Sequence, residues 1–186
     1  MLDVGYPDYA AFGWTAKDAV RIARIAEKHG IFFLEEPLKP DDVDGFARLT
    51  ANTNIKIASG ECLTARAEFV QFIGRRAVDI IQPDAQQIGI TQLVQVAYSA
   101  ERAGILCIPH GPWSPVALAA HLHVLSGTTN GTMIEYPAFA SAPPGSHHRA
   151  WLESVNHRLI EHPLLVRQGY VQLPEHAGLR PGSIRP

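Results

Sequence analysis

The sequence predicts an α/β fold built from repeated strand–helix units. Short, almost wholly apolar segments rich in β-branched residues alternate with longer segments of helical periodicity from residue 1 to about residue 135. Strands that are apolar throughout are typical of parallel sheets covered on both faces. Two architectures fit this order, a doubly wound open sheet and a (β/α) barrel. No GxGxxG or P-loop follows the first predicted strand, so the sequence gives no support for a nucleotide-binding sheet.

Six segments are predicted as strands, and five helices are predicted between them. The strands cover residues 1–5, 31–35, 55–58, 78–82, 106–109 and 132–135. Helix signals separate them: Thr15 as an N-cap with Gly30 ending that helix, Thr64 as a cap, a helix from about 91 closed by Gly104, and Ser114 with Pro115 as N-cap and first residue. The second connection, 41–49, is a shorter helix with weaker signals.

The pattern changes after Glu135. Residues 137–163 are rich in Pro, Ser and His and are predicted to be irregular covering structure, so we divide the chain into a barrel portion, 1–136, and a C-terminal segment, 137–186. A short strand pair is predicted at 164–167 and 170–173, turning at Gly169, and the last residues are predicted to form a tail.

Composition limits the class of protein. The chain has 186 residues, of which 46% are hydrophobic and 18% charged, enough apolar content for one sizeable core. A net charge of −2 argues against a nucleic-acid or membrane-surface partner. There is no apolar run of transmembrane length and no signal segment at the N-terminus. Two isolated cysteines, Cys62 and Cys107, are expected to be free, buried thiols, so we expect a cytoplasmic protein.

Each predicted strand ends at, or just before, an ionisable residue, and these residues are evenly spaced. Successive members are 32, 26, 23, 26 and 25 residues apart: Asp3, Glu35, Glu61, Asp84, His110 and Glu135. Any one of them alone would be read as a surface, loop or capping residue. Together they favour a barrel, because parallel strands bring their C-terminal ends to one face and that face holds the active site of a barrel.

Several carboxylates at one mouth need a cation, because they repel one another and lose solvation there. Asp3, Glu35 and Glu61 come from consecutive strands and offer only oxygen, the ligand that Mg²⁺ prefers. Asp84 and His110 come from the next two strands, where a carboxylate can orient an imidazole and raise its basicity.

With these residues placed, the chain resembles the mandelate racemase subgroup of the enolase superfamily. The phrases FLEEPL, ASGE, DIIQPDAQQIG, IPHGPWSP and MIEYP carry the resemblance, which runs from residue 1 to about 135. It implies a partial TIM-type (β/α) barrel, strands three to eight, with the family's N-terminal capping domain lacking. By position, Asp3, Glu35 and Glu61 match the metal ligands, and Asp84 and His110 match the acid–base dyad. Glu135 matches the acid that hydrogen-bonds the developing enolate.

The resemblance implies a Mg²⁺-dependent enzyme that abstracts the proton beside a carboxylate, with dehydration of an acid sugar as the first choice. His110 would act as general base or acid, Asp84 would orient it, and Glu36 is expected to support the neighbouring ligand. A racemase or epimerase of a 2-hydroxy acid is the alternative reaction. Two other classes stay open: an inactive barrel fragment that acts only in an assembly, and an open α/β binding domain whose carboxylates lie too far apart to share an ion.

The sequence departs from the family pattern in two ways. Gly5 stands where the family often has Asn, and the chain begins at the third barrel strand. We therefore expect a fragment or truncated product that self-associates as a homo-oligomer through open strand edges. Its turnover of sugar acids should be weak.

Overall fold

The computed structural model describes residues 1–4, 14–111, 114–136, 164, 166–173 and 178–179. In this part of the chain, five parallel strands form one sheet in the order of the sequence, and helices connect them. The strands are β1 (Leu2–Asp3), β2 (Phe33–Glu35), β3 (Lys56–Ser59), β4 (Ile80–Ile81) and β5 (Leu106–Cys107). The helices are α1 (Ala16–Glu27), α2 (Val43–Ala51), α3 (Arg66–Gly74), α4 (Ala85–Ala103) and α5 (Pro115–Ser126). This confirms the predicted α/β class and its parallel sheet.

The strands are in register so that their C-terminal ends lie side by side. Asp3 pairs with Glu35 across β1 and β2, and Glu35 pairs with Ala58 across β2 and β3. Further along the sheet, Ile81 pairs with Cys107 across β4 and β5. Residues that follow the strand ends are thereby brought to a single edge of the sheet.

The core lies between the sheet and the helices. Leu34 and Ile57 point from the strands into this core, where Phe46 of α2 and Phe72 of α3 meet with ring centroids 5.3 Å apart. All four side chains are at most 1% exposed. Cys107 also lies in this core, but Cys62 is exposed, so the prediction that both free thiols are buried is wrong for Cys62. Burial of large side chains of this kind is the main favourable contribution to folding.

Several predicted helix boundaries are confirmed. Thr15 accepts a hydrogen bond from the Asp18 N–H and begins α1 in a capping box. Ser114 accepts from the Val116 N–H and begins α5, with Pro115 in the first turn. Gly104 closes α4 with a φ of 72°, the left-handed conformation that glycine adopts without strain.

Other boundaries differ from the prediction. Thr64 is not the N-cap of α3; Ala65 has that position, and the carboxylate of Glu68 accepts from the N–H groups of Thr64 and Ala65 at 2.8 Å each. The fourth helix begins at Ala85, and Gly89, with φ 71° and ψ 163°, interrupts its first turn. Asp84 is the N-cap of this helix, since its Oδ1 accepts from the Gln86 N–H.

The prediction of a sixth strand is wrong. Residues 131–136 have no strand structure. The segment is fixed beside β5 through Asn130, whose carbonyl accepts from the Cys107 N–H at 3.1 Å and whose Nδ2 donates to Ile105 O at 2.9 Å. A single backbone hydrogen bond to the sheet does not make a ladder.

The predicted C-terminal hairpin is confirmed in its described part. Strands β6 (Val166–Arg167) and β7 (Tyr170–Val171) pair antiparallel, and the turn contains Gln168 and Gly169 at positive φ. The predicted covering structure at 137–163 lies outside the described residues. No helix in the described ranges combines the length and apolar character needed to cross a membrane.

Candidate active site

Three carboxylates predicted as metal ligands follow the first three strands. Asp3 and Glu35 are register partners at the ends of β1 and β2, and Glu61 lies two residues beyond β3. Glu35 is 2% exposed, Glu61 is half-buried and Asp3 is exposed. The structure thus brings the three residues to one edge of the sheet.

The charges of these residues act on one another. Burial, followed by the charges of Glu135 and Asp3, raises the pKa of Glu35 to about 8. Burial also raises the pKa of Glu61, against the lowering effect of His110. A carboxylate whose ionisation is opposed by its neighbours is one that a cation would stabilise.

The donor set fits a divalent cation in its chemistry. Glu35 Oε2 is buried and has no hydrogen-bond partner in the described structure. The side chains of Asp3, Glu35 and Glu61 offer only oxygen atoms as metal ligands. Within the described ranges, however, no three His, Cys, Asp or Glu side chains close around one point as a finished metal cage. The residues present therefore suit Mg²⁺, while their side chains are not drawn together around it.

Glu36 adjoins this set and has a different environment. Its φ is 46°, uncommon for a residue other than glycine, and it is 1% exposed. Its Oε1 accepts from Ser59 Oγ at 2.7 Å and from the Gly60 N–H at 3.0 Å. Burial, partly offset by these two hydrogen bonds, raises the pKa of Glu36 to about 7. Glu36 therefore ties the end of β2 to the end of β3, the supporting role expected for it.

Asp84 and His110 are in direct contact. His110 Nδ1 lies 3.2 Å from Asp84 Oδ2, and His110 Nε2 lies 3.5 Å from Glu61 Oε2. Asp84 is 3% exposed, and its Oδ1 accepts from the Gln86 N–H at 2.7 Å. The Asp84 carboxylate thus engages Nδ1 of His110, while Nε2 faces the Glu61 carboxylate.

The two groups shift one another's pKa in opposite directions. Burial favours neutral His110, but the hydrogen bond with Asp84 and the charges of Glu61 and Glu135 outweigh it and raise the pKa of His110 to about 9. Burial opposes the ionisation of Asp84, but the contacts with His110, His121 and the Gln86 N–H together outweigh it and lower the pKa of Asp84 well below its usual range. Each group thus stabilises the charged form of the other, carboxylate for Asp84 and imidazolium for His110.

Glu135 reaches the same group of residues although it is not on a strand. Its Oε2 accepts from the Gly111 N–H at 2.6 Å, and its Oε1 accepts from Gln82 Nε2 at 2.5 Å. Burial raises the pKa of Glu135, and the Gly111 N–H works in the opposite direction. A Cβ placed on Gly111 would lie 3.2 Å from Glu135 Cβ, so this close approach leaves little room for a larger residue.

Sequence reasoning missed two residues of the site. Gln82, at 0% exposure, donates from Nε2 to Glu35 Oε1 at 2.9 Å as well as to Glu135, and so joins a predicted metal ligand to a predicted acid. His121, also at 0% exposure, lies against the residues at the start of α4. Gln82 follows β4 directly, and a polar residue at the C-terminal end of a parallel strand was a usable signal, because these ends meet at one face. His121 lies within an apolar helix and gave none.

The fold and these strand-end residues define a chain of the enolase class. A family model described as enolase C-terminal domain-like matches residues 9–180, and the chain belongs to this family. The resemblance to the enolase superfamily is thereby confirmed.

Individual relatives are acid-sugar enzymes. The chain is 32% identical over 154 residues to the D-galactonate dehydratase of Ralstonia pickettii, an alignment that covers 82% of this chain and 39% of that enzyme. Two solved structures are also similar. The first is the L-talarate dehydratase of Polaromonas sp. JS666 complexed with Mg and L-glucarate, at a TM-score of 0.75 and 28% identity over 97% of this chain and 43% of that one. The second is the 3,6-anhydro-D-galactonate cycloisomerase of Zobellia galactanivorans, at a TM-score of 0.79 and 27% identity, over 98% and 47%. The chain spans about two fifths of the length of the curated relatives it matches.

Proposed function

We propose that this chain carries the metal-ligating and acid–base residues of a Mg²⁺-dependent acid-sugar dehydratase. The contact between His110 and Asp84, made beside Glu61, is the observation that supports it most directly. A histidine held by a carboxylate on one side, facing carboxylates that suit a metal on the other, is the arrangement needed for proton transfer next to a bound carboxylate. The similarity to dehydratases of sugar acids supports the substrate class.

Asp3, Glu35 and Glu61 are the residues that would hold Mg²⁺. When bound, the ion would supply a positive charge that stabilises negative charge developing on the substrate carboxylate. Gln82 fixes the Oε1 of Glu35, so this ligand already has a defined orientation. The unpartnered Oε2 of Glu35 is the atom that remains for a cation.

His110 is the residue that would move the proton. Its Nδ1 is engaged with Asp84, so proton transfer falls to Nε2. In dehydration, the C–H bond α to the carboxylate breaks, the β-hydroxyl leaves with a proton as water, and the resulting enol becomes a 2-keto-3-deoxy acid. Nε2 would either take the α-proton or donate the proton that leaves with the hydroxyl. Glu135, held by Gly111 and Gln82, would place its carboxyl against the enolate oxygen.

Incubation with Mg²⁺ and a panel of sugar acids in D₂O tests this proposal. The panel is D-galactonate, arabinonate, D-gluconate, galactarate and L-talarate, and proton NMR follows both loss of the α-proton signal and formation of the keto acid. His110→Asn should abolish both the exchange of the α-proton and the formation of keto acid, because Asn cannot carry the proton. His29→Asn, a change at an exposed histidine, is the matched control and should leave both rates unchanged.

The products distinguish the alternatives. Exchange of the α-proton without keto acid would favour a racemase or epimerase, for which the same His110 contact suffices. Full exchange in the His110→Asn variant would contradict the role of this residue. Stabilisation by Mg²⁺ without exchange of any acid would favour a metal-binding chain that needs a further segment or partner for turnover. A melting temperature that rises with Mg²⁺ in the original chain, and does not rise in Glu35→Gln, would support the ligand assignment separately.

A further inference from the structure

His121 is a buried histidine that the mechanism above does not use. It lies on α5 at 0% exposure, within a helix whose other buried residues are apolar or small. Its Nε2 lies 2.8 Å from the Ala85 N–H and 3.5 Å from Asp84 Oδ1. Its Nδ1 is buried and has no hydrogen-bond partner among the described residues. The side chain therefore meets the first turn of α4 at the point where Asp84 begins it.

The two contacts of His121 Nε2 require different protonation states. To accept from the Ala85 N–H, Nε2 must present its lone pair; to donate to Asp84, it must carry a proton. A hydrogen bond between charged groups is normally about 2.7–2.9 Å long, so a separation of 3.5 Å to Asp84 is long for one. A protonated Nε2 would also set two N–H groups against each other at 2.8 Å. The contact with the Ala85 N–H is the shorter and better hydrogen bond, and it assigns Nε2 of His121 as an acceptor, with the ring proton on Nδ1.

We propose that His121 is a positioning residue for the Asp84–His110 pair. The N–H groups of the first helical turn have no partner inside their helix. Here two side chains accept from these groups: His121 accepts from the Ala85 N–H, and Asp84 Oδ1 accepts from the Gln86 N–H at 2.7 Å. Asp84 Oδ2 is then left for His110. His121 thus fixes the backbone that carries the Asp84 carboxylate, while His110 contacts the other carboxylate oxygen.

This contact matters because the first turn of α4 is weakly held by its own helix. Gly89 interrupts the helix four residues after Ala85, so the turn at 85–88 is not continuous with the remainder. An external acceptor from α5 compensates for this break. Since α5 begins just after His110, the same segment of chain supplies both the imidazole that Asp84 orients and the imidazole that holds Asp84 in place.

Nitrogen-15 NMR of the histidine side chains tests the first part of this inference on the unaltered chain. We expect His121 to be the Nδ1–H tautomer at pH 7, with Nε2 unprotonated. Protonation of Nε2, in either a neutral or a charged ring, would overturn the proposal without any need for a variant.

Three variants test the positioning role. In His121→Leu, exchange of the Ala85 amide with D₂O should accelerate by tenfold or more, and the Nδ1–H signal of His110 bonded to Asp84 should shift. His121→Gln, whose amide oxygen can accept from Ala85, should restore both. His123→Leu, a change at a half-buried histidine two residues along the same helix, should alter neither. Faster exchange at Ala85 with an unchanged His110 signal would overturn the positioning role, as would a failure of Gln to restore what Leu removes.

The inference rests on the proposed function only where it assigns a catalytic purpose to the Asp84–His110 contact. The NMR measurements need neither substrate nor Mg²⁺. If the sugar-acid assays failed while these signals behaved as expected, the positioning contact would stand and the reaction would be revised. If the signals failed, the reaction assigned to His110 would be unaffected.

Discussion

Gln82→Leu should destabilise the fold because Gln82 holds two carboxylates with one amide group. Its Nε2 donates to Glu35 at 2.9 Å and to Glu135 at 2.5 Å, and its own Oε1 is buried without a partner in the described structure. Two hydrogen bonds to carboxylates contribute about 1.5–3 kcal/mol each, and removing a buried unpartnered oxygen returns about 1–3 kcal/mol. Glu135 is only partly buried, so we expect a net loss of about 2 kcal/mol in the free energy of unfolding.

Urea unfolding followed by circular dichroism measures this loss. With a slope of about 2 kcal/mol per molar urea, the midpoint should fall by about 1 M. Gln95→Leu, at an exposed position of α4, is the matched control and should change stability by less than about 0.5 kcal/mol. Equal midpoints for both variants and the original chain would refute the view that Gln82 stabilises the carboxylates.

Three further outcomes are expected from urea unfolding of single variants. Phe72→Ala should cost about 3–5 kcal/mol, because the ring is 1% exposed and packs on Phe46; a cost below 1 kcal/mol would contradict a close-packed core here. Gly104→Ala should cost about 1 kcal/mol, because the φ of Gly104 is 72°. Gly74→Ala, with open space around it and an ordinary φ, should instead stabilise the chain by a few tenths of a kcal/mol. Equal effects of the two substitutions would contradict this role of the backbone conformation. Asp84→Asn should cost about 1–3 kcal/mol at pH 7. Because folding lowers the pKa of Asp84, its contribution to the free energy of unfolding is complete above the unfolded pKa of about 3.9 and is lost progressively below it. The difference in the free energy of unfolding between Asp84→Asn and the original chain should therefore narrow between about pH 5 and pH 2. A difference that stays constant with pH would count against the lowered pKa.

Local chemistry explains which parts of the fold could be predicted from the sequence. The caps at Thr15 and Ser114 and the left-handed Gly104 depend on residues within one turn, so their signals are complete in a few letters. The hairpin turn at Gly169 is equally local. The regular spacing of ionisable residues worked for a different reason, since each strand–helix unit returns the chain to the same face of a parallel sheet.

Contacts between distant segments explain what could not be predicted. Gln82 and Glu35 are 47 residues apart, and Ala85 and His121 are 36 apart, so neither partnership has a pattern that one segment displays. Thr64 is not the cap for a different reason. The helix α3 has Ala65 as its N-cap, and the Glu68 carboxylate accepts from the N–H groups of Thr64 and Ala65.

The missing sixth strand shows how a site residue can be placed without strand pairing. From its spacing, Glu135 was predicted to reach the site at the end of a strand. The structure instead anchors its segment at Asn130, which is hydrogen-bonded to Cys107 of β5, Ala97 of α4 and Ile105 between them. The Glu135 side chain itself is fixed by Gly111 and Gln82. All but one of these contacts involve a side chain of Asn130 or Glu135, the exception being the backbone hydrogen bond from Cys107 to Asn130. The spacing of residues therefore gave the right position for the wrong structural reason, and what places Glu135 in the site is the set of polar partners that its carboxylate meets there.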